Sequence, residues 1–140
     1  MSRKRPYTEA LARLRAVNLR PTRQRLALAK LLFSGGDRHI TAESLHREAQ
    51  GKQIRVSLAT VYNALHQFTE AGLLRQVVVD ATSSYFDTNT RHHHHFFSED
   101  DNMLTDIPDE TIDVSRLPTP PAGQVIDSVD VVVRVRKTDR

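Results

Sequence analysis

His92, His93, His94 and His95 follow one another without interruption in a chain of 140 residues that contains no cysteine. Neutral imidazole is the commonest protein ligand for transition metals and an axial ligand for haem iron, so this run carries the clearest chemical signal in the sequence. In an extended segment successive side chains point to opposite faces. His92 and His94 would face one way and His93 and His95 the other, giving paired ligands to two sites, or one pair to a site and one to a partner surface. The bland alternative is a solvated polar strand. Phe96 and Phe97 follow directly, and a run inside the chain does not look like a purification tag. The absence of cysteine excludes disulfides, thiolate zinc sites and cysteine-ligated haem.

A second chemical signal is the distribution of charge. The net charge is only +3, but residues 1–75 carry 14 Lys or Arg against 5 Asp or Glu, net +9, whereas residues 76–140 carry 6 against 12, net −6. A basic half suits a polyphosphate partner, since each phosphate contact releases counterions and adds salt-dependent affinity. A chain of this length has room for one ordinary domain or two small ones, which favours a binding module over an enzyme with a deep cleft. No apolar stretch approaches the roughly 20 residues that span a bilayer, so a cytoplasmic protein without a membrane partner is expected.

Several elements must position these groups. Thr8 and Glu9 open a helix with Leu11, Leu14 and Val17 at helical spacing, and Asn18 ends it. Pro21 and Thr22 start a second helix that runs to Phe33 and is broken by Gly35 and Gly36. Arg20, Arg23 and Arg25 crowd its start, where the helix dipole disfavours cations, so an anionic neighbour is expected. Thr41 caps a short third helix ended by Gly51. Ser57 caps a fourth that ends at Gly72. Along that fourth helix Leu58, Val61, Leu65 and Phe68 make one apolar stripe. The opposite stripe, Ala59, Tyr62, Asn63 and His66, lacks the Glu and Lys of an ordinary solvated face. Two helices with a short connector, the second presenting such a face, describe a helix-turn-helix with its reading helix.

Leu73–Val79 and Ser83–Asp87 read as a hairpin around the turn residues Asp80 to Thr82, as a winged helix requires. Residues 88–91 read as a hinge. His92–Phe97, Met103–Ile107 and the alternating segment from Val129 to Arg136 read as three short strands, with a Pro-rich acidic loop from Pro108 to Gly123. Such a half has few core residues and should gain its core by dimerising. The expected fold class is α+β: a winged helix-turn-helix domain over residues 1–87 and a small α/β dimerisation and sensing domain over residues 92–140.

The stretch from Val56 to Leu65 (VSLATVYNAL), with Ala71-Gly72-Leu73-Leu74 after it, resembles the reading helix of the ferric uptake regulator family. Asn18 to Arg25 (NLRPTRQR) is similar to that family's entry to its second helix, and Ile40 to Leu45 (ITAESL) to its third. Within the family, the histidine run, the missing Cys pairs and the ending VDVVVR most resemble the iron response regulator branch, whose members are haem-responsive transcription factors.

The resemblance implies a homodimer that grips a palindromic, A·T-rich operator in double-stranded DNA. Tyr62 would touch a thymine methyl group or sugar, Ser57 and Thr60 would hold phosphates, and Arg20 would enter a narrow minor groove. Asn63 stands where the family often has Arg, which would favour adenine over guanine. It implies a first metal site formed by His39, Asp87, His93, His95 and Asp106, and a second drawing on His92, His94 and Asp113. Asp87 and Asp106 are one methylene shorter than the family's usual Glu. Ser98 and Asp101 replace the first Cys pair, which removes the family's structural zinc site.

The resulting expectation is a transcriptional regulator, not an enzyme, that reports haem through His93, His94 and His95, with Phe96, Phe97, Met103 and Leu104 as an apolar wall or as sheet core, and with a partner protein as a conceivable haem donor. The alternative within the class is a sensor of free Fe2+, Mn2+ or Zn2+ at the same histidines. From other classes come a metal-dependent hydrolase and a haem or metal storage module.

Overall fold

The computed structural model describes residues 7–139. It divides into two compact units, Met1–Thr90 and Arg91–Arg140.

The first unit contains the helices α1 (Thr8–Ala16), α2 (Arg23–Phe33), α3 (Ala42–Gly51) and α4 (Leu58–Glu70), with the strands β1 (His39–Ile40), β2 (Arg75–Val78) and β3 (Ser84–Asp87). The helix starts obey local chemistry. The side chain of Thr22 accepts from the Arg25 N–H, and that of Ser57 from the Thr60 N–H. Thr41 and Ser44 form a reciprocal capping box at α3, satisfying two backbone donors that the helix itself cannot. Asn18 and Gly72 adopt positive φ after α1 and α4. Gly51, expected to end α3 from outside, is instead its last helical residue, and the left-handed position falls to Gln53.

Leu14, Leu28, Leu32, Leu45, Val61, Leu65, Phe68 and Phe86 are fully buried in one core. Each such side chain contributes roughly 1.5–3 kcal/mol relative to exposure. Burial takes the Val61, Leu65 and Phe68 stripe of α4 inward and leaves Tyr62, Asn63, His66 and Gln67 outward. The sheet order is β1-β3-β2, all antiparallel. An Asx turn, in which the Thr82 N–H donates to Asp80 Oδ1 at 2.8 Å, joins β2 to β3. Thr88 is tied to Arg38 by hydrogen bonds through both its backbone and its hydroxyl, so the chain stays anchored one residue beyond β3.

The second unit has the strands β4 (His95–Ser98), β5 (Met103–Asp106) and β6 (Val132–Val135), in the order β5-β4-β6, with β4 and β6 parallel. It contains no helix among the described residues, which corrects the expected α/β composition. Pro108, Pro118, Pro120 and Pro121 account for much of this, since each lacks the N–H that a helix interior needs. β4 begins at His95, three residues later than expected, because its pairing with β5 and β6 starts there. Phe97, Leu104 and Ile107 are buried as sheet core. None of the helices among the described residues is long and apolar enough to cross a membrane.

Candidate metal centre and nucleic-acid interface

The ligand candidates occur as two sets, one per unit. In the first unit, antiparallel pairing of β1 with β3 sets His39 directly opposite Asp87, and His39 Nε2 lies 3.1 Å from Asp87 Oδ2. The Asp87 side chain is buried, and its Oδ1 accepts from the Asn89 N–H at 2.9 Å. A two-residue strand is too short to leave a periodic signature, so only the family resemblance, and not the spacing of residues, brought His39 and Asp87 together.

In the second unit two imidazoles converge on one carboxylate oxygen. His93 Nε2 is 2.9 Å and His95 Nε2 3.5 Å from Asp106 Oδ1. His95 owes its place to the register of β4 with β5, which sets it across from Asp106. His93 is oriented from behind: its Nδ1–H donates to the Arg91 carbonyl at 2.6 Å, which leaves Nε2 as the nitrogen facing the carboxylate. A neutral imidazole so oriented has only a lone pair on Nε2, and so does the oxygen it faces. The arrangement therefore calls for a cation between them, either a proton on the ring or a metal ion. Tying the distal ring nitrogen to a carbonyl is how metal-binding histidines are commonly oriented. Nitrogen and oxygen donors without thiolate suit Fe2+, Mn2+ or Zn2+.

The expected separation of the run into alternating pairs is present even though residues 92–94 lie outside β4. The rings of His93 and His95 are 4.4 Å apart, and those of His92 and His94 are 5.2 Å apart. The second pair faces backbone. His92 Nε2 lies 2.8 Å from the Val129 carbonyl, and His94 Nδ1 accepts from the Val131 N–H at 3.1 Å. Asp113 is exposed and joins no ligand group with them among the described residues, so the expected second site is not assembled. His94 Nδ1 thus meets the backbone just ahead of β6, whereas His93 and His95 turn to Asp106.

The expected haem wall also differs. Phe97 and Leu104 are spent in the sheet core, while Met103 is exposed. The cavity lined by His92, His93, His94, Ile107 and Pro108 has a volume of about 150 Å³. That is well below the roughly 300–1,000 Å³ of pockets that enclose drug-sized ligands.

On the first unit, Ser57, Tyr62 and Asn63 are exposed and Thr60 half-buried on α4, while Arg20 is exposed ahead of α2. Tyr62 is 37% exposed, so its ring is open to a partner. Its hydroxyl donates to Glu43 on α3, a contact that spacing alone could not reveal. This hydrogen bond holds the Glu43 carboxyl below its ordinary range and pushes the Tyr62 phenol above its own. Ring stacking continues along the face, with His66 stacked on Tyr62 and edge-on to Phe86. Arg25 finds neutral acceptors rather than the expected anion: its guanidinium donates to Gln67 Oε1 at 2.9 and 3.3 Å and to the Arg20 carbonyl at 3.0 Å.

The ferric uptake regulator family profile matches residues 16–125, most of the chain and both units. This chain belongs to the ferric uptake regulator family. Among its relatives in the family, the peroxide-responsive repressor PerR of Staphylococcus epidermidis is 35% identical over 82 residues, 59% of this chain and 54% of that protein. The peroxide operon regulator of Bacillus subtilis is 38% identical over 79 residues, 56% of this chain and 54% of that protein. The chain thus spans about half the length of the curated relatives it matches. The ferric uptake regulator from Pseudomonas aeruginosa with manganese has 25% identity and a TM-score of 0.68, covering 93% of this chain and 98% of that one. The Vibrio cholerae ferric uptake regulator shares the fold with a TM-score of 0.71 at 21% identity, covering 92% of this chain and 99% of that one.

Proposed function

We propose that this protein is a DNA-binding transcriptional regulator whose operator affinity is set by a free divalent cation, Fe2+, Mn2+ or Zn2+. The observation that carries this reading is the convergence of His93 and His95 on one oxygen of Asp106, with His93 held from behind by the Arg91 carbonyl. His39 and Asp87 would complete the ligand set. The second unit alone offers three ligands and the first unit two, each short of the four to six that these cations prefer. A bound cation would supply charge compensation for two carboxylates and a free-energy preference for the arrangement in which both sets serve it.

The first unit is read as a winged helix-turn-helix, with α4 as the reading helix and the β2–β3 hairpin as the wing. Ser57 and Thr60 hold phosphates, Arg20 enters the minor groove, Tyr62 meets a thymine methyl group or sugar, and Asn63 meets a base. The second unit is read as the dimerisation unit. β5 and β6 have open outer edges among the described residues, and Val125 and Ile126 are exposed, as a surface awaiting a second copy would be. The names of the relatives, repressors and metal-bound regulators, support the same class.

The haem-reporting reading, with its likeness to the iron response regulator branch and its haem-delivering partner, draws less support. Of its apolar wall Phe97 and Leu104 are buried in the sheet and Met103 is exposed, the adjacent cavity is small, and the relatives carry peroxide-linked names.

Gel-shift titration of a palindromic A·T-rich duplex with the chelated protein, then with added Mn2+, tests the proposal. A gain in affinity of about 5- to 150-fold is expected, the usual span of a coupling free energy. Affinity indifferent to Mn2+, together with a stoichiometric Soret shift on haem addition, would return the reading to haem.

A further inference from the structure

Gln67 lies on the outward face of α4, one helical turn beyond Asn63, and neither the reading-helix stripe nor the family resemblance assigned it a role. With Arg20, Thr22, Thr60 and Asn63 it lines a polar groove of about 360 Å³ between the start of α2 and α4. An amide side chain carries an acceptor oxygen and a donor NH2, and only their joint presentation permits the two-point pairing with adenine that Asn and Gln are suited to make. In Gln67 that choice is already made. The Arg25 guanidinium can only donate, so the group it holds at 2.9 and 3.3 Å must be the carbonyl oxygen of Gln67. Arg25 is fixed in turn by the Arg20 carbonyl at 3.0 Å, which leaves the fork little freedom to swing away. The Gln67 NH2 is therefore the end left for a ligand, and it has no hydrogen-bond partner among the described residues.

We propose that Gln67, polarised by Arg25, is a specificity-determining residue that selects a keto base, guanine or thymine, at one position of each operator half-site. The proposal rests on α4 being the reading helix. In the major groove guanine O6 and N7 and thymine O4 are acceptors, which a donor-only amide satisfies. At the same edge position cytosine and adenine instead carry the N4 and N6 amino groups, donors that an NH2 cannot meet; adenine keeps N7 as an acceptor, so the choice is made where guanine O6 or thymine O4 would lie. Asn63, whose amide is not committed in this way, keeps both halves of its hydrogen-bonding pattern. Two neighbouring amides on one helix thus read opposite base classes because only one of them has a guanidinium behind it.

Selection from random duplexes with the full chain in Mn2+ tests this. The wild-type protein is expected to enrich one position per half-site for guanine or thymine over adenine or cytosine by about tenfold, the lower part of the range for a good base contact. Gln67→Glu keeps a partner for Arg25 but turns an acceptor to the groove, so the same position should invert to cytosine or adenine. Gln67→Ala should lose the preference at that position and no other. Unchanged base preference in both variants overturns the proposal while leaving the reading helix in place. A wild-type protein that enriches no sequence overturns the reading of α4 and this proposal with it.

Discussion

At the scale of single residues, the two sites differ in how their side chains are held. His93 and Asp106 would have only lone pairs to offer one another without a shared cation, so replacing Asp106 by Asn should weaken Mn2+ binding. A loss of at least about tenfold is expected by calorimetry, since even outer-sphere partners of metal ligands act on that scale. The Tyr62 and Glu43 contact makes a different prediction. A carboxyl lowered by a native contact stabilises the fold above its unfolded value of 4.5, and that contribution is lost as pH falls through the lowered one. A phenol raised by the same contact stabilises below 10.0 and loses its contribution as pH rises through the raised value. The contact is thus complete between those two limits. Spectrophotometric titration should place the Tyr62 phenol above an ordinary tyrosine, and Glu43→Ala should bring it down; an unchanged midpoint in the variant would show that Glu43 is not the cause. The residue types at both sites were legible in the sequence. The family resemblance also grouped the metal-site residues, but nothing in the sequence paired Glu43 with Tyr62, because they stand on different helices and only packing sets which side chains meet.

At the scale of elements, the helices follow from local signals that a reader of the sequence can recover. Thr22, Thr41 and Ser57 each cap the helix they precede, and their replacement should be felt locally. Thr41→Ala removes one arm of the capping box and should cost about 1 kcal/mol, lowering the melting midpoint of the first unit by roughly 4–8 °C in calorimetry. Phe68→Ala should cost about 3–5 kcal/mol by opening the core beneath α4, enough to unfold a marginal unit at ambient temperature, as far-ultraviolet circular dichroism would show. The short strands are the counterpart. β1 has two residues and β4 four, lengths at which periodicity carries little information, and both are defined by their partners across the sheet. His92–His94 alternate like a strand without belonging to one, because alternation needs only extended backbone whereas a strand needs a ladder.

For the whole molecule, the division of charge and the division into units coincide closely. The basic residues crowd into the first unit and the acidic ones into the second, which fits a polyanion for one and cations for the other. Duplex affinity should therefore fall steeply with salt, by several decades between 50 and 200 mM if about six to ten phosphates are contacted per dimer. A shallow slope in a salt titration would count against α4 and Arg20 as the interface. Adding Mn2+ in excess of its dissociation constant should raise the melting midpoint, and chelation should reverse it, since a ligand that binds only the folded chain stabilises it by mass action.

What the sequence determined unaided was the set of local decisions: where helices start and stop, which face of α4 is apolar, which half is basic, and which residues are chemically fit to bind metal. Each of these depends on side chains within a turn or two of one another, where spacing is itself geometry. The tertiary structure alone decided that His39 lies across from Asp87, that His93 and His95 share one oxygen of Asp106, that His94 meets the backbone just ahead of β6, and that Arg25 commits the Gln67 amide. Those outcomes turn on register and packing between segments distant in the chain, and a hydrogen bond is specified only when both of its ends have been brought to one place.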